Sequence, residues 1–310
     1  MKNLLLTSAA LMAFATMSLA QNTATLDQNG SFSSADLNQT GLNNTINATQ
    51  NGNGPGSAVS FTRIRQEGRL NRANTNQNGR DHAINTYQKG ESNLVNMMQS
   101  QNSSSITTNQ TGSLNSIKSD QRSAVGTKVI AEITQTGNRN YTELTNQTDV
   151  INLVDVTTAY IYQTGDDNLA YLTQIGDANM ATMSQNNNWN VMVGRQEGTS
   201  NKLTITQTGV NATIGLYNYS RVQQNGTGND SRTYQMGRDN IIDLKVTGNN
   251  NVADLNQTGT GQRIRGLNGF DTIGQNGNNN RMTVSQTGNN QLFVVGQTGN
   301  SNTAFVLQQN

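Results

Sequence analysis

Glutamine returns along this chain every eleven residues, and that period constrains the fold more than any local motif. In residues 163–207 it stands at Gln163, Gln174, Gln185, Gln196 and Gln207. Gly165, Gly176, Gly198 and Gly209 follow two places later, with Asn187 in the glycine place of the remaining copy. Asn168, Asn179, Asn190 and Asn201 follow five places after their glutamines. A short unit held in phase over many copies reads as a stacked solenoid, not as a globular domain. The marker runs from Gln28 to Gln308, through Gln121, Gln135, Gln147 and Gln163, with Val246 standing in once. That gives about 24 units, within one solenoid domain spanning residues 21–310.

Each unit divides into a turn and a strand. The turn is Q-x-G-x-x-N, as in Gln88-Lys-Gly90-Glu-Ser-Asn93. Glycine suits it because a tight turn needs positive φ, which a residue without Cβ adopts freely; asparagine is the next best. The strand alternates: Asn201, Leu203, Ile205 and Gln207 point one way, Lys202, Thr204 and Thr206 the other. A helix would need a period near 3.6 and would not tolerate glycine at this frequency. One short strand cannot bury its own apolar face, but two successive units can face each other. The expected fold is all-β: a solenoid of strand-turn-strand rungs, about 22 residues per rung and roughly 12 rungs. Cross-β stacking at about 4.8 Å makes it about 58 Å long.

Composition enters here. Apolar residues make up only 32% of the chain, too few for an ordinary core. Stacking resolves the deficit. A lone buried amide is costly, but identical amides stacked rung on rung can bond one another and leave only the ladder ends unmet. The Gln and Asn residues named above are therefore expected to form inward ladders. Five breaks in the spacing, after Gln50, Gln121, Gln147, Gln207 and Gln257, are expected to bulge from turns without interrupting the stack. Alternate counting puts the first three on one edge and the last two on the other. Gly52–Ser57, with the only proline at Pro55, is the clearest loop.

Residues 1–20 read as a secretory signal peptide: Lys2, an apolar run to Leu19, and Ser18-Leu19-Ala20 as the cleavage pattern. No later segment is apolar enough to span a membrane. Without Lys2 the chain carries 19 basic and 19 acidic residues. That balance argues against nucleic acid as a partner and lowers the barrier to self-association. There is no cysteine, so an exported chain needs another source of stability, which backbone and side-chain ladders could supply.

No catalytic, cofactor or metal site is assembled. His82 is the only histidine and takes an asparagine place in a turn. One histidine and no cysteine make neither a triad nor a zinc site. Asp166 and Asp167 lie in a turn and read as solvated. Trp189, Tyr160, Tyr162 and Tyr171 read as scattered surface aromatics.

The unit stands in fuller form as Gln174-Ile-Gly176-Asp-Ala-Asn179-Met-Ala181-Thr-Met-Ser-Gln185, and again from Gln163 and from Gln66. This Q-x-G-x-x-N-x-A-x-x-x-Q pattern resembles the curlin repeat of bacterial curli subunits, over essentially the whole chain after residue 20. The resemblance implies a secreted functional amyloid of the biofilm matrix. Such a subunit forms pilus-like extracellular fibres for adhesion. Its implied partners are further copies of itself, a nucleator subunit and an outer-membrane secretion pore. The chain departs from the family in carrying about twice the repeats of the best-known subunits. It also starts its repeats at Asn22, without a separate export-targeting segment. Neither end unit shows a polar cap, so the polymerising ends are expected at Asn22 and Gln28 and at Asn302 and Gln308. The alternative is a monomeric cell-surface solenoid, an adhesin or an ice or glycan binder. An ice binder needs a regular threonine face, whereas the places matched to Thr204 and Thr206 in neighbouring units hold Val193, Arg195, Tyr171 and Ser184. A polysaccharide lyase would need clustered carboxylates, which are absent.

Overall fold

The computed structural model describes residues 21–30, 33–52, 60–124, 127–148, 156–209, 217–265 and 273–310. The signal-peptide reading and most of the Gly52–Ser57 loop lie outside the described residues. Twenty-six strands and no helix are found among them. The chain crosses from one sheet to the other at every turn. Thr23–Gly30 opens the first sheet, Ser33–Leu42 opens the second, and Thr45–Gly52 returns to stack on Thr23–Gly30. All pairing is parallel and in phase with the glutamine period. Gln163 lies beside Gln185, and Gln185 beside Gln207, 22 residues apart. The first sheet has 14 strands and the second 12, but two levels of the first are each made of two short strands. Both sheets therefore have twelve levels, and the molecule is the expected two-sheet solenoid.

The two inner faces close over a narrow core. Each strand typically contributes two apolar side chains, such as Ala170 with Leu172 and Ala181 with Met183, all at most 1% exposed. Burying an isoleucine or leucine contributes about 1.5–3 kcal/mol, and the rungs repeat that gain along the axis. Near the first rungs Leu26 and Leu37 are only partly buried, as are Phe293, Val295 and Val306 at the far end.

Three expectations change. First, the marker after Gln135 is Asn146, not Gln147: Asn146 lies beside Gln121 and Gln174. The inward phase set by Asn140, Thr142 and Leu144 reaches Asn146, and a one-residue slip puts Gln147 on the outer face. Second, the break after Gln257 does not bulge from a turn. It falls within one level of the first sheet, between strands Arg263–Arg265 and Ile273–Asn276, with Ile264 beside Ile242 and Ile273 beside Leu244. Counting back by twos from Gln275 would put Asp271 at a core place; Ile264 fills it instead. Third, the same-sheet neighbours of Thr204 are Thr182 and Arg232, and those of Thr206 are Ser184 and Tyr234. Val193, Arg195 and Tyr171 belong to the opposite sheet, because adjacent units alternate sheets. A continuous threonine face is still missing.

Candidate functional site: the amide ladders and the open ends

The turns set the ladders. Gly165, Gly176 and Gly198 have φ of 104°, 98° and 104°. Glycine is also needed for a second reason: a Cβ on Gly176 would sit 2.3 Å from the carbonyl oxygen of Gly198 on the next rung. Gly209 departs from its expected turn role. It lacks positive φ and ends the strand Lys202–Gly209 buried, at the start of the long spacing to Gln224. The turn has a second left-handed residue, which the sequence reading missed, just before the asparagine. Asp167, Ala178, Trp189 and Ser200 hold φ of 58°, 54°, 62° and 57° there. Their varied side chains hide the requirement from sequence.

In the second sheet the glutamine ladder is continuous from Gln39 to Gln308. Each Nε2 donates to the Oε1 of the next glutamine toward the C-terminus at 2.7–3.2 Å. The other N–H reaches across to the opposite sheet, as from Gln185 to the Leu169 carbonyl at 3.1 Å. The first sheet carries the ladder in pieces. Gln28 to Gln121 are joined, then Gln174, Gln196 and Gln224, then Gln275 and Gln297. Asn146 and Val246 occupy the gaps. The Asn146 amide has no hydrogen-bond partner, and Gln121 Nε2 and Gln174 Oε1 on either side have none either.

Asparagine clamps the two edges. Asn190 Nδ2 and its backbone N–H both donate to Asn168 Oδ1, at 3.2 and 3.1 Å. Asn201 does the same to Asn179 at 3.2 and 3.0 Å. Asn201 Nδ2 also donates to the Gly226 carbonyl of the next turn at 2.8 Å, so one side chain ties three rungs. One edge keeps asparagine from Asn22 to Asn240. The other begins with Ser33, Ser60, His82, Ser104, Val129 and Thr157 before asparagine takes over at Asn179. His82 is 1% exposed, with Nε2 3.3 Å from the Asn78 carbonyl and Nδ1 unpartnered. Burial pushes its pKa below the usual imidazole value.

The outer faces are charged but internally matched. Arg63–Asp36, Arg69–Glu91, Lys118–Glu143 and Arg139–Asp167 join neighbouring rungs at 2.6–3.2 Å. Pairs this exposed add little stability. Asp166 and Asp167 do not form an acid–base pair: Asp166 accepts from the Asn138 backbone at 2.7 Å, and Asp167 pairs with Arg139. Among the described residues no cluster of His, Asp and Glu could hold a metal ion, and no helix is long and apolar enough to cross a membrane.

The ends repeat one another. Among the described residues Thr23–Gly30 and Ser33–Leu42 have a neighbour on one side only. So do Thr303–Gln309 and the level of Leu292–Thr298. The inward columns open with Ala24, Leu26 and Gln28 and with Ala35, Leu37 and Gln39; they close with Phe293, Val295 and Gln297 and with Ala304, Val306 and Gln308. Gln28 and Gln39 donate inward and present Oε1 outward. Gln297 and Gln308 accept from below and give one N–H each to Arg281 and Leu292 carbonyls, leaving the second for a further rung. Asn22 accepts from the Asn44 backbone at 2.9 Å. Asn302 donates back to Asn280 at 3.0 Å and holds Oδ1 where the next clamp would donate.

A parallel β-solenoid laid with amide ladders and open at both described ends is a cross-β repeat protein. The Curlin associated repeat family model matches residues 130–186, 248–288 and 277–309, so these stretches are similar to curlin-associated repeats. No curated protein matches it. The family is one of structural amyloid subunits rather than enzymes.

Proposed function

We propose that this chain is a secreted structural subunit that polymerises end to end into extracellular curli-like fibres for adhesion and biofilm matrix. The observation that carries the reading is the match between its two ends. The last rung offers Phe293, Val295 and Gln297, and the first offers Ala24, Leu26 and Gln28, in the same columns. A second copy placed with its first rung on the last continues both sheets, both apolar columns and both glutamine ladders. The ladders also set direction: Nε2 groups at the C-terminal end meet Oε1 groups at the N-terminal end. Such a head-to-tail contact does not close, so it gives a filament. The matched backbone edges are the same feature that templates cross-β growth. Residues 1–20 would direct export, a nucleator would start growth at the surface, and an outer-membrane pore would pass the chain.

Incubation of residues 21–310 should give fibres that bind thioflavin and diffract near 4.8 Å along the axis. Fusing a folded, charged domain to both ends should stop elongation while leaving the monomer's β-structure intact. A chain that stays monomeric, or capped chains that elongate as fast as uncapped ones, would overturn end-to-end growth.

A further inference from the structure

Parallel sheets are normally covered on both faces, and their strands then read as continuous apolar runs. Most of this solenoid does not look like that, because its outer faces are polar. The exception is the middle of the first sheet. Strands Leu169–Ile175, Val191–Thr199 and Ile241–Thr247 begin Leu-Ala-Tyr-Leu, Val-Met-Val and Ile-Ile, apolar on both faces. The outward column there is Tyr141, Leu169, Val191, Tyr219 and Ile241 on five successive levels, with no charge among them. Tyr171 and Val193 stand beside it in the next column. The Tyr141 and Tyr171 rings lie 5.7 Å apart, and six of the seven side chains are half-buried. Ion pairs bound the patch, Lys118–Glu143 at one end and Arg221–Asp243 at the other.

We infer that this face pairs with the same face of a second copy of the chain, so that fibres associate side by side through it. Two features favour a second copy over another occupant. The ridges of the patch repeat at the inter-strand spacing of about 4.8 Å, and only another cross-β sheet presents grooves at that interval over many levels. The area points the same way. Five levels by two columns cover about 300 Å² per partner. A single pair of chains then buries about 600 Å², short of the roughly 1,200 Å² that a specific stable complex needs. In a fibre the patch recurs once per subunit, so contacts too weak between free chains add along the axis. Pairing should therefore follow polymerisation and join like faces of separate filaments.

The inference rests on the proposed end-to-end growth, and the test separates the two. Leu169→Lys with Tyr219→Lys puts like charges two levels apart on the outer face, leaving the core, ladders and ends untouched. Tyr160→Lys with Thr204→Lys places the same charge on the opposite sheet as a control. Elongation is read by thioflavin kinetics and fibre width by electron microscopy. Wild type and control should form paired or wider fibres. The Leu169/Tyr219 variant should elongate within about twofold of wild type but remain as filaments one solenoid wide. Variant fibres as wide as wild type, or a control that narrows equally, would overturn the face assignment. Should the chain fail to elongate at all, end-to-end growth fails on its own. Sedimentation of the soluble chain then reads the face: a weak dimer in wild type that the variant loses supports it, and a monomer at every concentration overturns it. Wild-type filaments that stay single yet bind oligosaccharides or vesicles through these tyrosines would give the face to that partner instead.

Discussion

His82 shows what one substituted amide does to a ladder. It takes an asparagine place in sequence and in the structure, but an imidazole lacks the carbonyl that accepts from the next rung. Its pKa is lowered chiefly by burial, with the Asn78 carbonyl, Asp81 and the Gln101 carbonyl opposing. The folded imidazole thus gives up its proton at lower pH than the unfolded one. Its contribution is fully present above about pH 6.5 and is lost as pH falls toward the folded value. Because His82 is the only histidine, denaturation midpoints measured between pH 7.5 and 5 isolate it. Wild type should lose stability across that window, and His82→Asn should stay flat. Tyr141 behaves in the opposite sense. Burial first, then its bond to Glu143, holds its phenol up to about 12, so any loss from that group comes only as pH rises past its usual value near 10. The role of His82 was legible from its position. Its orphaned Nδ1 was not, since that depends on the neighbours stacked above and below.

At the scale of the element, the turn is where glycine is indispensable and where sequence told only half. Gly176 combines φ of 98° with a Cβ site 2.3 Å from the next rung's carbonyl. Gly176→Ala should lower stability by at least about 2 kcal/mol, since both the backbone strain and the spacing of the rungs are affected. Ala178, two places on, holds φ of 54° but has room for its side chain. Ala178→Gly should be near neutral in the same denaturation experiment, because relief of the left-handed strain offsets the added chain entropy. Strand direction and face followed from alternation alone wherever the period held. They failed at Gln147, where an irregular spacing left two adjacent amides, Asn146 and Gln147, and only the inward phase of the flanking strand chose between them.

Across the whole molecule the two sheets are unequal. The second carries an unbroken glutamine ladder from Gln39 to Gln308, while Asn146 and Val246 divide the first into three. Asn146 is one methylene too short to meet Gln121 and Gln174, and their facing atoms are left without partners. Asn146→Gln should close that gap and raise stability by about 1–3 kcal/mol, the cost otherwise carried by unsatisfied buried amides. Hydrogen exchange should show the gain concentrated in strands Ser116–Ser123, Tyr141–Gln147 and Leu169–Ile175. The sequence by itself determined the strand period, the inward amides and the rung of two units. Each of these follows from spacing along one chain, because a repeated unit meets the same neighbours at every level. Only the tertiary structure decided where ladders break, which edge keeps its asparagine clamps, at which place in the rung the late insertion falls, and which outer face is apolar. Those depend on residues 22 to 29 positions apart being brought side by side, and unequal insertions make that pairing invisible until the rungs are stacked.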